Sequence, residues 1–315
     1  MNSKRLTQGI LLSFVFILIL GSIALGTHWF FKNLGDFFEW KLSKQGAFLG
    51  SVSDSAKTQT PYRDWQIKDI EVLAQSALSV ESDLFDSDKI LFRKDEDKKL
   101  PIASLTKLMT AMVVLENYDL SDIITISKNA VLQEGIQGAL KQEDVMSVKD
   151  LLYIMLIESS NQAAYALAET KGENNFVELM NDEAKKLGLE NTHFADSTGL
   201  SPDNYSTSED LTKLTKYLLK NYPIITEISR TKEIDLYKQD ASFYGKLVNT
   251  NELLGEIPDI VGGKTGFTTN AKGCLLLVLN NHRSGNYLIY VILGADDRFG
   301  EMKKLIDWVN SAYIW

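Results

Sequence analysis

Strand-like segments stand at both ends of the chain's globular part and helical ones fill the middle. Near the start, Ala74 to Val80 and Lys89 to Phe92 have the composition of strands and flank an acidic turn. Near the end, Gly273 to Leu279 and Tyr287 to Leu293 flank Asn280-Asn281-His282-Arg283-Ser284-Gly285, which predicts a hairpin. Between them, Val148 to Ile157, Gln162 to Glu169, Asn175 to Leu187 and Asp210 to Leu219 read as helices. Leu105 to Leu115 is apolar on nearly every face, so it predicts a buried helix. Glu301 to Val309 closes the chain as an amphipathic helix. This order predicts an α/β chain of the α+β type, with one sheet whose two halves are separated by a helical insertion.

A chain of 315 residues has room for one large domain or two small ones. With 44% apolar and 24% charged residues it belongs among globular proteins and can bury a core without covalent staples. The single cysteine, Cys274, excludes an intramolecular disulfide. A net charge of −9 argues against a nucleic-acid partner. It leaves an anionic substrate open, because only the local field of a cleft has to be positive. His28, His193 and His282 stand in no metal-ligand spacing, so a zinc enzyme is not expected.

An apolar run from Gly9 to Gly26 follows Lys4 and Arg5. Its length of about 18 residues is near the lower limit for a bilayer span and exceeds a usual signal-peptide core. The basic flank stays in the cytoplasm, which places the remainder outside the cell. Ala24-Leu25-Gly26 also reads as a cleavage site, so an uncleaved anchor and a cleaved signal both fit. The aromatic residues Trp29, Phe30, Phe31, Phe37, Phe38 and Trp40 suit a membrane interface, or a short helix packed on the domain. The expected division is 1–8 cytoplasmic, 9–26 anchor or signal, 27–60 juxtamembrane segment and linker, and 61–315 globular domain.

Three short motifs carry chemistry. Ser104-Leu105-Thr106-Lys107 opens the apolar helix, and a spacing of three puts serine and lysine on one face. A serine hydroxyl needs a neighbouring base before it is a useful nucleophile, and a lysine serves only if its pKa falls. Taken alone, the tetrapeptide reads equally as a capping serine with a surface lysine, and Ser229 and Lys232 repeat the spacing. Only the first match begins a helix too apolar for a surface. Ser159-Ser160-Asn161 lies between two helical stretches, where a tight loop can present a hydroxyl and a carboxamide together. Ser127-Lys128-Asn129 matches the same pattern in a strand-like stretch. Lys264-Thr265-Gly266 occurs once, after Gly262-Gly263, and on a strand it can offer an ammonium and a hydroxyl to a carboxylate. Gly266 there would let a substrate backbone come close.

The order Ser-x-x-Lys, Ser-x-Asn, Lys-Thr-Gly resembles that of penicillin-binding proteins and class A β-lactamases. The wider text is similar to the D-alanyl-D-alanine carboxypeptidase family, the low-molecular-mass penicillin-binding proteins of serine peptidase family S11. The stretches that carry the likeness are Leu100 to Thr110, Asn191-Thr192-His193-Phe194, Thr198-Gly199-Leu200 and Tyr205-Ser206-Thr207. The resemblance implies the β-lactamase/DD-peptidase fold, with an antiparallel sheet, flanking helices and an inserted helical subdomain. It implies peptidoglycan stem peptides ending in D-Ala-D-Ala as substrate, β-lactams as covalent inhibitors, and no metal or organic cofactor.

By the same resemblance Ser104 attacks, Lys107 takes its proton, and Ser159 relays a proton to the leaving amine with help from Lys264. Asn161 orients the substrate amide, and Lys264, Thr265 and Gly266 hold the carboxylate region. The N–H groups of Ser104 and Phe267 form the oxyanion hole. Lys264 is further expected to depress the pKa of Lys107 across the cleft. Gln162 and Phe267 depart from the family's usual acidic and His or Tyr residues, which predicts altered substrate preference. The chain ends soon after the closing helix, without the β-rich domain and terminal anchor of many relatives, so the N-terminal segment is the expected anchor. A β-lactamase would need a deacylating Glu, and the comparable stretch reads Ala195-Asp196-Ser197-Thr198-Gly199-Leu200. A catalytically silent wall-binding module is the other alternative.

Overall fold

The computed structural model describes residues 61–85, 88–135 and 139–315. The expected anchor or signal, the juxtamembrane aromatics and the linker lie outside the described residues. Among the described residues no helix is long and apolar enough to cross a membrane.

Two strands of the main sheet come first, β1 (Ser76–Ser82) and β2 (Asp88–Lys94). The helical middle holds α1 (Lys107–Asn117), α2 (Val148–Ile157), α3 (Asn161–Glu169), α4 (Glu173–Lys186) and α5 (Ser208–Asn221). A two-stranded hairpin follows, β3 (Glu233–Tyr237) with β4 (Phe243–Val248). The chain then returns through β5 (Ile260–Thr268), β6 (Lys272–Asn280) and β7 (Tyr287–Ala295) before α6 (Arg298–Ala312). The main sheet has the order β5-β6-β7-β1-β2, with every neighbouring pair antiparallel. One sheet is therefore drawn from both ends of the domain, as the order of elements predicts.

The unbroken apolar run of β6 has a direct cause. Cys274, Leu276 and Val278 pack into a core shared with α1, α2 and α3. Leu275, Leu277 and Leu279 point the other way, into a core with Met302, Leu305 and Val309 of α6. A strand covered on both faces has no polar side to alternate with. The same division splits β7, with Ile289, Val291 and Leu293 on one face and Leu288, Tyr290 and Ile292 on the other.

Helix α1 is the centre of the helical layer: every residue from Lys107 to Val114 is buried. It packs against α2, α3 and α4 at once. Helices α2, α3 and α5 are started by side-chain caps. Ser147 accepts from the Asp150 amide for α2, Ser160 from Ala163 for α3 and Thr207 from Asp210 for α5. Each such cap contributes roughly 1 kcal/mol. Ser127 does the same for a single turn, Lys128–Val131, by accepting from the Ala130 amide. The strand expected around Ser127-Lys128-Asn129 is therefore replaced there by a capped turn, with β-structure only upstream at Ile123–Thr125.

Candidate active site

Ser104 sits in a 3-10 turn, Ala103–Thr106, which runs directly into α1. Ala103 takes a left-handed φ of 47°, so the chain bends sharply just before the serine. In a 3-10 turn, residues three apart eclipse. That brings Lys107 Nζ to 3.0 Å from Ser104 Oγ. The ammonium also donates to Asn161 Oδ1 at 2.6 Å and to the Thr198 carbonyl at 2.6 Å. Lys107 is fully buried, and desolvation brings its pKa down from 10.5 to about 7 against the opposing pull of the Asp196 carboxylate. Near neutral pH a large fraction of this lysine is uncharged, and the 3.0 Å contact then runs from hydroxyl to amine.

The second motif faces the first across the gap between α2 and α3. Ser159 adopts φ 63°, which turns its side chain out between the helices, while Ser160 caps α3. Asn161 begins α3. Its Oδ1 takes the Lys107 bond and its Nδ2 donates to the Glu134 carbonyl at 2.6 Å. The carboxamide is engaged at both ends, so contact with a substrate amide must use its second lone pair or second hydrogen. Gln162, next along, donates to the Val131 carbonyl at 3.0 Å. Together the two amides tie the 131–135 wall to α3, and an ionised carboxylate at 162 could not make that donation.

Strand β5, at the edge of the sheet, brings the third motif. Lys264 is buried, and its Nζ donates to Ser159 Oγ at 2.8 Å and to the Thr265 carbonyl at 3.1 Å. Burial first, then Lys107 and then Arg298, hold its pKa well below the ordinary lysine range. Thr265 Oγ1 lies 2.5 Å from Thr250 Oγ1. Gly266 passes so close to the serine turn that a Cβ there would stand 3.1 Å from the Ser104 amide nitrogen and from the Ile102 carbonyl. Phe267 follows with its ring 63% exposed at the mouth. The hollow so formed, about 390 Å³, is lined by Ser104, Ser159, Asn161, Thr250, Thr265, Gly266 and Phe267, with Gly135, Leu200 and Arg298 completing it. Three larger hollows elsewhere on the surface are lined by no serine.

The second Ser-x-x-Lys has no such setting. Ser229 closes a short helix, Pro223–Ser229, instead of opening one. It is buried, accepts from the Gly263 amide at 3.2 Å and donates to the Thr226 carbonyl at 3.3 Å. Arg298, by contrast, was not among the sequence candidates. It is the first residue of α6, lines the hollow, and reaches toward the Gly266 carbonyl at 3.5 Å. Its Nε is buried with no hydrogen-bond partner among the described residues. Nothing local in Asp296-Asp297-Arg298 marks this arginine out from the other surface cations.

The sequence model of the D-alanyl-D-alanine carboxypeptidase family matches residues 60–297. The chain belongs to that family. The D-alanyl-D-alanine carboxypeptidase DacF of Bacillus subtilis is 36% identical over 252 residues, covering 76% of this chain and 63% of that one. The D-alanyl-D-alanine endopeptidase of Escherichia coli is 33% identical over 252 residues, covering 78% of this chain and 79% of that one. The chain thus spans less than two thirds of the length of the Bacillus relative. Among solved structures, the Streptomyces K15 DD-transpeptidase superposes with a TM-score of 0.70 at 29% identity, covering 78% of this chain and all of that one. The D-alanyl-D-alanine carboxypeptidase family fold accounts for the sheet drawn from both ends and for the helices that flank it.

Proposed function

We propose that the protein is a serine-type D-alanyl-D-alanine carboxypeptidase that acts on peptidoglycan stem peptides and is acylated by penicillins. The observation that carries this reading is the 3.0 Å approach of Lys107 Nζ to Ser104 Oγ, made by a buried lysine whose pKa lies near 7. Neutral Lys107 accepts the Ser104 proton as Oγ attacks the carbonyl before the terminal D-alanine. The N–H groups of Ser104 and Phe267 receive the developing oxyanion, a device worth about 3–4 kcal/mol per donor in other enzymes. Ser159, bonded to Lys264, passes a proton to the leaving amine. Thr265 and Arg298, which both line the hollow, suit the terminal carboxylate. Water then releases the acyl group from Ser104.

None of the described residues lining the hollow carries a carboxylate. This favours a slowly hydrolysed penicillin adduct over β-lactamase turnover. The deciding assay follows D-alanine release from a peptide ending in D-Ala-D-Ala, together with the lifetime of a penicillin adduct. Release of D-alanine and a long-lived adduct support the proposal. Rapid penicillin turnover would make the protein a β-lactamase, and neither reaction would make it a silent binding module. Cleavage only of cross-linked peptides would make it an endopeptidase.

The location belongs to the same proposal. The apolar run after Lys4 and Arg5 holds the catalytic domain at the outer face of the cell membrane. Fractionation and N-terminal sequencing of the native protein test this. A soluble form beginning near Thr27 would show a cleaved signal instead.

A further inference from the structure

Two of the three partners of Lys107 Nζ are motif side chains. The third is the Thr198 carbonyl, in an irregular loop, Ala195 to Ser201. One carboxylate accepts four hydrogen bonds within that loop. Asp196 Oδ1 accepts from the Thr198 amide at 2.7 Å, the Thr198 hydroxyl at 2.8 Å and the Gly199 amide at 2.6 Å. Its Oδ2 accepts from the Ser201 amide at 2.7 Å. The loop is also pressed against the nucleophile turn: Gly199 has φ 87°, and a Cβ there would lie 2.1 Å from the Ala103 carbonyl oxygen. One residue before Thr198, the Ser197 carbonyl accepts from Thr110 Oγ1 at 2.7 Å. The loop therefore meets α1 at Lys107 and again one turn later.

We propose that Asp196 is a positioning residue for acylation: it holds the Thr198 carbonyl against Lys107 Nζ and sets the negative charge that opposes loss of the lysine's proton. This rests on the reading of Lys107 as the base for Ser104. The charged groups around that base come from four directions. Lys264 approaches from β5, with Arg298 beyond it on α6. Asp196 faces it from the loop. Glu173 stands behind on α4, accepting from the Ser197 amide at 3.0 Å and hydroxyl at 2.9 Å. Burial pushes the Glu173 carboxyl up, and Asp196 adds to the rise.

Asp196→Asn removes the charge and gives the Ser201 or Thr198 amide a repelling N–H in place of an acceptor. Asp196→Glu keeps the charge but displaces the cradle by a methylene. The second-order rate of penicillin acylation of the full chain, measured against pH, separates the two effects. The expected result for Asp196→Asn is a plateau at least about tenfold below the parent and an acid limb displaced downward by roughly one pH unit. Asp196→Glu is expected to lose plateau rate while keeping the parent midpoint. A lower plateau with an unmoved midpoint in the Asn variant would reduce Asp196 to scaffolding and overturn the electrostatic half. If Asp196→Asn does not fold, the Glu variant decides, and a plateau equal to the parent's overturns the positioning role. A parent that is not acylated at all removes the serine-enzyme reading and this inference with it. An acylated parent whose variants match it overturns the inference alone.

Discussion

Lys264 Nζ donates to Ser159 Oγ at 2.8 Å, linking the edge strand of the sheet to a helix junction 105 residues earlier in the chain. Two buried lysines therefore stand behind the two serines that line one hollow. Their repulsion is mutual, but it is expressed at the group that is harder to charge. For Lys107 the lowering comes from burial, whereas Lys264 is lowered by burial and then by Lys107. The expectation from the sequence, that Lys264 depresses Lys107, requires Lys264 to be charged while Lys107 titrates.

A prediction follows for Lys264→Gln. If Lys264 is already neutral when Lys107 titrates, removing it leaves the midpoint of the penicillin acylation limb within roughly half a pH unit of the parent's. The rate itself falls about 10²-fold or more, because the proton path through Ser159 loses its partner. A rise of a full unit in the midpoint would show that Lys264 is charged there.

Lys107→Arg tests the base directly. A guanidinium does not deprotonate in proteins, so the variant keeps a donor and a charge but has no proton acceptor. The acylation rate should drop by about 10²–10⁴-fold at every pH up to 9. An active Lys107→Arg protein would transfer the role of base to Ser159 with Lys264.

The two Ser-x-x-Lys matches give a paired test. Ser104→Ala should abolish covalent labelling by a fluorescent penicillin, since it removes the attacking oxygen. Ser229→Ala deletes a hydroxyl that only ties Gly263 and Thr226, so labelling should persist with at most about 1 kcal/mol less stability. Label on the Ser104→Ala protein would overturn the nucleophile assignment.

What the sequence made legible follows from how far each signal reaches. The helices and the sheet strands show because periodicity and apolar runs are local, and the bounds of α2 agree with the reading at both ends. Ser104, Ser159 and Lys264 come together as the motif order implies, since each motif is itself a short local pattern. The β3–β4 hairpin left little trace because Leu236 and Leu247 are its only fully buried residues. Arg298 reaches the hollow through the sheet, 32 residues from the Gly266 carbonyl it approaches. The third partner of Lys107 was out of reach for another reason: a backbone carbonyl has no side-chain signature, and only the fold shows that Thr198 supplies it.

The last prediction concerns stability. Lys107 has a folded-state pKa of about 7 and an unfolded value near 10.5, so between these the unfolded chain binds a proton that the native protein does not. Stability from this group therefore rises with pH across that window and is flat below about 7, where both states are protonated. Lys107→Met removes the group at similar volume. The difference in unfolding free energy, variant minus parent, should grow by about 1.4 kcal/mol per pH unit as pH falls from 9 toward 7.5 and level off below about 6.5. Over the whole window the change is on the order of 5 kcal/mol. The two acceptors that Met leaves unpaired, Asn161 Oδ1 and the Thr198 carbonyl, lower the variant by a constant that does not enter the slope. Lys264 does not disturb it either, because above pH 7 Lys107 is already largely neutral in the parent. Urea unfolding of both proteins at four pH values from 6 to 9 gives the comparison. A difference that stays level across that range would mean that Lys107 is charged in the folded protein at neutral pH, and the base for Ser104 would have to be sought elsewhere.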